Sequence, residues 1–297
     1  MNSSVQESGI SRFVNRYWRL LFVLPMAILY LIFFMYPLIQ GIFISFTNWD
    51  GLSKVKRFIG SKNYIGLFND NDFSKSISFT VELTIVLIVF EIIIGLGIAI
   101  LLERKIKFNS FFRTAYFFPA VLSGMTVSLI FSQIFQYGIP EVGNAFNINS
   151  FKLNPLSNHT GAFIAIAFVM LWQGVALPIL LFLAGLMSVP RDIIEAASVD
   201  GATPMQVFFK IKLPFLLPTL SIVFILALKS GLLAFDQIVA LTYGSVDTQS
   251  IGLLLYNDAV SSFRFGYANS MGTLLFIIII ILSLVQIKVS SRYEVEQ

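Results

Sequence analysis

Six apolar stretches alternate with polar segments along this chain. The first, Leu20 to Phe46, contains no charged residue, and Phe79–Leu102, Ala115–Tyr137, Gly161–Met187, Phe215–Phe235 and Met271–Ile287 follow it. A bilayer core about 30 Å thick is crossed by about 20 predominantly apolar residues rising about 1.5 Å each. Hydrocarbon satisfies no backbone polar group, so each run is predicted to be a helix that pairs its own N–H and C=O groups. The expected fold is an all-α integral membrane protein with about six transmembrane helices. The membrane domain spans 20–288, between tails at 1–19 and 289–297. The first run is too long for a signal-peptide core and no small-x-small cleavage site follows it, so it is expected to remain as a span.

Composition agrees with the pattern. The chain is 57% hydrophobic and 12% charged, with mean hydropathy +0.83, whereas soluble domains carry about 25% charged residues. Its apolar surface needs lipid as solvent. There is no cysteine, which excludes disulfide and thiolate chemistry. The net charge of +4 reads as topology rather than nucleic-acid binding. Six spans put both termini on one side. That side holds Arg12, Arg16 and Arg19, then Arg104, Lys105, Lys107 and Arg113, then Arg191, Lys210 and Lys212, and finally Lys288 and Arg292. The other side holds Lys54, Lys56, Arg57, Lys62, Lys75, Lys152 and Arg264. The richer side is expected to be cytoplasmic.

Two polar segments carry more than connection. Residues 47–78 are rich in Asn, Asp, Lys and Gly, include the turn signal Asn48-Trp49-Asp50-Gly51, and are long enough for a small ordered structure. Residues 188–214 read as two short helices. Pro190 suits a helix start, Arg191 to Ala197 are acceptable helix formers, and Asp200-Gly201 signals a turn. Thr203-Pro204 offers an N-cap followed by a proline at the first helical position, and Pro214 is expected to end the second helix.

Within that loop, Glu195-Ala196-Ala197, Gly201 and Ile211-x-Leu213-Pro214 match in identity and spacing the EAA signature of permeases in binding-protein-dependent ABC importers, which this chain resembles. The likeness runs on through Leu24-Pro25, Tyr36-Pro37, Ser45-Phe46-Thr47, Phe58-x-Gly60, Asn63-Tyr64, Gly95-Leu96 with Ala99, Arg113 with Pro119, and Phe265-Gly266-Tyr267-Ala268. These resemble landmarks of sugar-type permeases, on the MalF/glycerol-3-phosphate side of the pair. Tyr243-Gly244-Ser245 stands where that family often has a glycine-glycine-proline run, and Gly143-Asn144 is arranged atypically.

The resemblance implies a type I importer permease working as a heterodimer with a second homologous permease. Two ABC ATPase subunits and an extracytoplasmic solute-binding protein would complete the machine. Glu195, Ala196, Ala197, Asp200, Gly201 and Ala202 would form the element that meets the ATPase. The chain has no Gly-x-x-x-x-Gly-Lys-[Ser/Thr] phosphate loop, so ATP and Mg are expected on the partner and no cofactor or enzymatic activity on this chain. The implied solute is a sugar, oligosaccharide or related compound. An importer of phosphate, amino acids or peptides is the alternative.

Ionisable groups inside spans are costly and usually face protein or water. Glu82 and Glu91 are nine residues apart, on opposite faces of one helix at about 100° per residue. Glu91 pairs with Lys229, carries a proton, or lines a solute path. Trp172 and Gln173 either pack against neighbouring helices or meet a sugar, whose ring and hydroxyls an aromatic face and an amide suit. His159 is the only histidine, so histidine catalysis and metal binding have no support. No cluster of nucleophile and base suggests a membrane enzyme, and Glu91 alone does not make an ion filter.

The absence of cysteine gives a direct test of orientation. In intact cells a membrane-impermeant maleimide is expected to label Ser53→Cys, and to label Ser4→Cys only after permeabilisation. The opposite pattern would invert the topology.

Overall fold

The computed structural model describes residues 23–103 and 109–290. The tail 1–19, the basic residues Arg104, Lys105 and Lys107, and Arg292 lie outside the described residues. Three unbroken helices are long and apolar enough to cross a membrane: α1 (Val23–Ser45), α3 (Asn71–Glu103) and α13 (Phe265–Ser290). Between α1 and α3 lies the short α2 (Lys62–Phe68). The other three apolar runs are bent pairs. Helix α4 (Asn109–Val121) meets α5 (Gly124–Ala145) at 101°, α6 (His159–Gly174) meets α7 (Ala176–Ser188) at 46°, and α9 (Pro204–Phe215) meets α10 (Leu217–Leu232) at 66°. Helix α8 (Arg191–Val199) precedes α9, and α11 (Asp236–Leu241) and α12 (Ile251–Tyr256) lie between α10 and α13.

Two kinds of expectation change here. The runs 115–137 and 161–187 are not single straight spans: the first is broken at Leu122-Ser123, where Ser123 is extended and Gly124 starts a new helix, and the second is bent at Val175. Pro214 does not end its helix: α9 runs on through it to Phe215. A proline clashes with the carbonyl four residues back and donates no N–H. The chain meets that cost by widening the preceding turn. Leu213 N–H bonds Phe208 C=O across the π turn Phe208–Lys212. The same device appears before Pro37, where Tyr36 N–H bonds Leu31 C=O, and before Pro140, where Ile139 N–H bonds Ile134 C=O. Each π turn ends two residues before its proline, so the wider ring moves the backbone clear.

Helix α3 is the central post. Its Phe79, Leu83 and Leu87 pack with Ile166 and Val169 of α6 and Ile238 of α11. Further along, Ala99 and Leu102 pack with Ile179, Phe182 and Leu186 of α7 and Val223 of α10. Hydrocarbon provides no hydrophobic drive between helices, so close backbone approach and van der Waals contact must hold them. Glycines supply the approach. A Cβ on Gly231 would lie 2.6 Å from Thr84 Cα, and one on Gly95 would lie 2.8 Å from Pro178 Cβ. Apolar side chains of α1 and α13 face outward instead, as with Phe33, Ile39, Ile281 and Leu284.

At one end of the bundle the segment before α3 is ordered, with Thr47 and Phe58 forming an isolated bridge. Asn63 Nδ2 donates to the carbonyls of Ser45 and Thr47 at 2.7 and 2.9 Å. Gly266 N–H donates to Trp49 C=O at 2.8 Å, and a Cβ on Gly266 would strike Thr47 C=O. That contact explains the glycine in Phe265-Gly266-Tyr267. The Tyr267 hydroxyl donates to Asp70 Oδ2 at 2.6 Å. Burial pushes the Asp70 carboxyl up, but that hydroxyl and the N–H groups of Phe73 and Asp72 outweigh it and hold the group below its ordinary value. Arg264 stacks on Tyr267, 4.0 Å from the ring centre, and reaches Asp258 Oδ1 at 3.2 Å.

Gly231→Val should force α10 off α3 and destabilise the protein by about 1–3 kcal/mol, the cost of overpacking. Gly97→Ala, where a Cβ meets nothing within 4 Å, is the matched control. Thermal unfolding in detergent should drop for the first and hold for the second.

Candidate functional site: a helical knuckle and a polar cleft

The loop 188–214 folds into a knuckle at the end of the bundle opposite Asp70. Helix α8 begins after an extended Pro190 and places Asp192 in its first turn, where the helix dipole favours an acid. Its C-terminus closes by a Schellman motif. Ala202 N–H bonds Ala197 C=O at 2.9 Å, and Gly201 N–H bonds Ser198 C=O at 3.1 Å. The motif requires a left-handed residue, and Gly201 has φ +78°. A Cβ there would meet nothing within 4 Å, so backbone conformation rather than space selects glycine. Thr203 then opens α9 with a capping box: Thr203 N–H donates to Gln206 Oε1 at 2.8 Å, and Gln206 N–H donates to Thr203 Oγ1.

Glu195, Ala196, Asp200 and Gly201 are exposed, and Ala197 and Ala202 are half-buried. The small alanines keep that surface low. Around them Val199 is 87% exposed, Met205 67% and Phe209 55%. Such apolar exposure outside the spans is a feature that protein-interaction surfaces share. The knuckle is tied to the central post by one ion pair. Lys212 Nζ donates to both Glu103 oxygens, at 2.6 and 2.8 Å, with both side chains largely shielded. This joins α9 to the end of α3 across 109 residues of sequence.

The intramembrane polar residues divide. Glu91 and Lys229 do not pair: Glu91 is buried while Lys229 is exposed, and no ion pair joins them among the described residues. The Glu91 carboxyl instead occupies the space left by Gly174, where a Cβ would lie 2.8 Å from Oε1. Glu82 is exposed and takes a long contact from Ser78 Oγ at 3.4 Å. Trp172 packs edge-on against Phe131, with ring centres 5.3 Å apart. Gln173 Nε2 donates to Leu122 C=O at 2.8 Å, and so satisfies a carbonyl freed by the α4–α5 break.

Lys229 lines a cleft of about 400 Å³ together with Ser230, Phe235, Asp236 and Gln237. A Cβ on Gly124 would lie 3.1 Å from Gln237 Nε2 and 3.4 Å from Gln173 Oε1, so the break, Gln173 and the cleft adjoin. A lysine turned to lipid at that depth would cost about 2.5–3.5 kcal/mol. The cleft gives it a polar surrounding. Gln237 and Gly124 were not among the residues singled out from sequence. The Ser123-Gly124 pair was the available signal, since serine-glycine marks turns. Nothing local in sequence signals the Glu103–Lys212 pair.

Residues 91–293 match the family described as binding-protein-dependent transport system inner membrane component. The chain is 52% identical over 288 residues to the multiple sugar-binding transport system permease protein MsmF of Streptococcus mutans, covering 96% of this chain and 99% of that one. It is 32% identical over 284 residues to the arabinooligosaccharides transport system permease protein AraP of Bacillus subtilis, covering 93% and 89%. A chain of a bacterial ABC transporter involved in the import of the acidic polysaccharide alginate superposes with a TM-score of 0.81. That match covers 96% of this chain and 99% of the other at 20% identity, a likeness of fold.

Removing one partner of the shielded ion pair should cost more than removing both. Lys212→Met is expected to destabilise the protein by about 1–3 kcal/mol, and adding Glu103→Gln should recover part of the loss. Thermal unfolding of the two single variants and the double variant measures the coupling. Strict additivity would mean that the pair does not act as a clamp.

Proposed function

Because the chain belongs to the family of binding-protein-dependent transport system inner membrane components, we propose that it forms half of the pathway of an ATP-driven importer of a sugar, oligosaccharide or related solute. The permease relatives named for multiple sugars and arabinooligosaccharides support the carbohydrate class. The observation that carries the reading is the exposed knuckle, closed at Gly201 and clamped to α3 by Glu103 and Lys212.

In this reading the protein crosses the cell membrane several times, with both termini and the knuckle in the cytoplasm. A second homologous permease completes the pathway, two ATPase subunits bind ATP and Mg, and a solute-binding protein delivers cargo on the far side. Nucleotide-driven closure of the ATPases displaces α8 through Glu195, Ala196, Ala197 and the Asp200-Gly201-Ala202 turn. The Glu103–Lys212 pair passes that displacement to α3. The switch works only insofar as the partner contacts differ between the inward and outward states. Gln173, Lys229 and the cleft beside them line the path. Trp172 and the buried Glu91 shape its wall from behind.

Gly201→Leu places a branched side chain in the left-handed region, at about 1–2 kcal/mol, and should distort the knuckle without filling any buried space. Uptake of labelled oligosaccharide in cells carrying the full importer is expected to fall at least tenfold, with membrane insertion unchanged. Gly201→Asn, which tolerates that region better, should keep most activity. Normal uptake by Gly201→Leu would sink the coupling role.

A further inference from the structure

We propose that the Lys229–Asp236 cleft selects for uncharged, hydroxyl-rich solutes over acidic ones, an inference that rests on the carbohydrate-import reading above. Lys229 and Asp236 are the two ionisable residues lining the cleft, and they carry opposite charge. No ion pair joins them, and both are exposed. Each therefore keeps its hydrogen-bonding capacity for whatever occupies the space.

The volume and chemistry of the lining suit a polyol. The cleft of about 400 Å³ adds the Ser230 hydroxyl, the Gln237 amide and the Phe235 ring to the two charges. A neutral sugar can donate a hydroxyl proton to Asp236 and accept from the Lys229 ammonium, which satisfies both groups in charge-assisted hydrogen bonds. A carboxylate-bearing sugar gains at Lys229 but brings an anion towards Asp236. A neutral hydroxyl meets no such repulsion in the same space. Discrimination of this kind comes from the unfavourable contact as much as from the favourable one. The cleft also sits where Gln173 and Gln237 converge on Gly124, so further neutral amides, rather than a second cation, border it.

The test is equilibrium binding to the assembled permease–ATPase complex in lipid nanodiscs, with the solute-binding protein omitted so that only the membrane site is read. The probes are labelled maltotriose, raffinose and xylotriose against trigalacturonate. At least one neutral trisaccharide is expected to bind at least tenfold more tightly than trigalacturonate. Asp236→Asn should narrow that ratio at least tenfold, and Lys229→Met should weaken neutral binding at least fivefold. Retention of the ATPase subunit and its hydrolysis rate report intact assembly, and the wild-type ratio stands even if a variant fails to assemble. Equal or tighter binding of trigalacturonate, or an unchanged ratio in an assembled Asp236→Asn complex, would overturn the charge selection and leave carbohydrate import standing. If no trisaccharide of either kind binds an actively hydrolysing complex, the carbohydrate reading itself falls, and this inference with it.

Discussion

Close backbone approach between α3 and its neighbours underlies the rest of the molecule. In lipid, apolar side chains gain nothing by leaving hydrocarbon for one another, so helices hold together through shape and small residues. Gly231 lets α10 approach Thr84, and Gly95 lets α3 accept Pro178 of α7. With those contacts made, α3 is gripped by both flanking bent pairs, and two apolar cores form along its length. The knuckle is then joined to a rigid element, because Lys212 anchors it to the terminal Glu103 of that same helix.

The second constraint is the backbone itself. Each bend or proline frees polar groups that hydrocarbon leaves unpaired. The chain meets this in two ways. Before Pro37, Pro140 and Pro214 a π turn keeps the ladder going with bonds five residues long. At the 101° break after Val121 the ladder stops, and the Gln173 amide reaches across from α6 to take up Leu122 C=O. A polar side chain of α6 therefore closes a gap in the backbone ladder of another helix pair, beside the Lys229–Asp236 cleft.

Much of this was legible in the sequence, for physical reasons. Apolar run length marks where hydrocarbon must be crossed, and the spaced Glu195, Gly201 and Leu213-Pro214 pattern marks the knuckle because a Schellman closure needs glycine at one position. What was not legible depended on partners distant in sequence. Pro214 read as a stop because the remedy, a widened turn, leaves no compositional trace. Glu91 and Lys229 read as a possible pair because both are charged and membranous, yet one points inward to Gly174 and the other outward into a cleft. A helix of uniformly apolar residues has too little amphipathic signal to fix which face is which. The segment 47–78 was legible as ordered, but α3 begins at Asn71, ahead of the apolar run, because Phe73 and the capping Asp70 bind its polar first turns to α2 and α13.

The length of α3 has a mechanical consequence. Its 33 residues make a rod of about 50 Å at about 1.5 Å per residue, held at one end by Lys212 and at the other by the contacts around Asp70 and Lys75. Tilting such a rod by about 5° at its Glu103 end carries the far end about 4 Å, by the same helix dimensions. One unbroken helix thus joins the shielded Glu103–Lys212 pair at one end of the bundle to the exposed Lys75–Asp247 pair at the other, with no bend between them to absorb a displacement applied at either end.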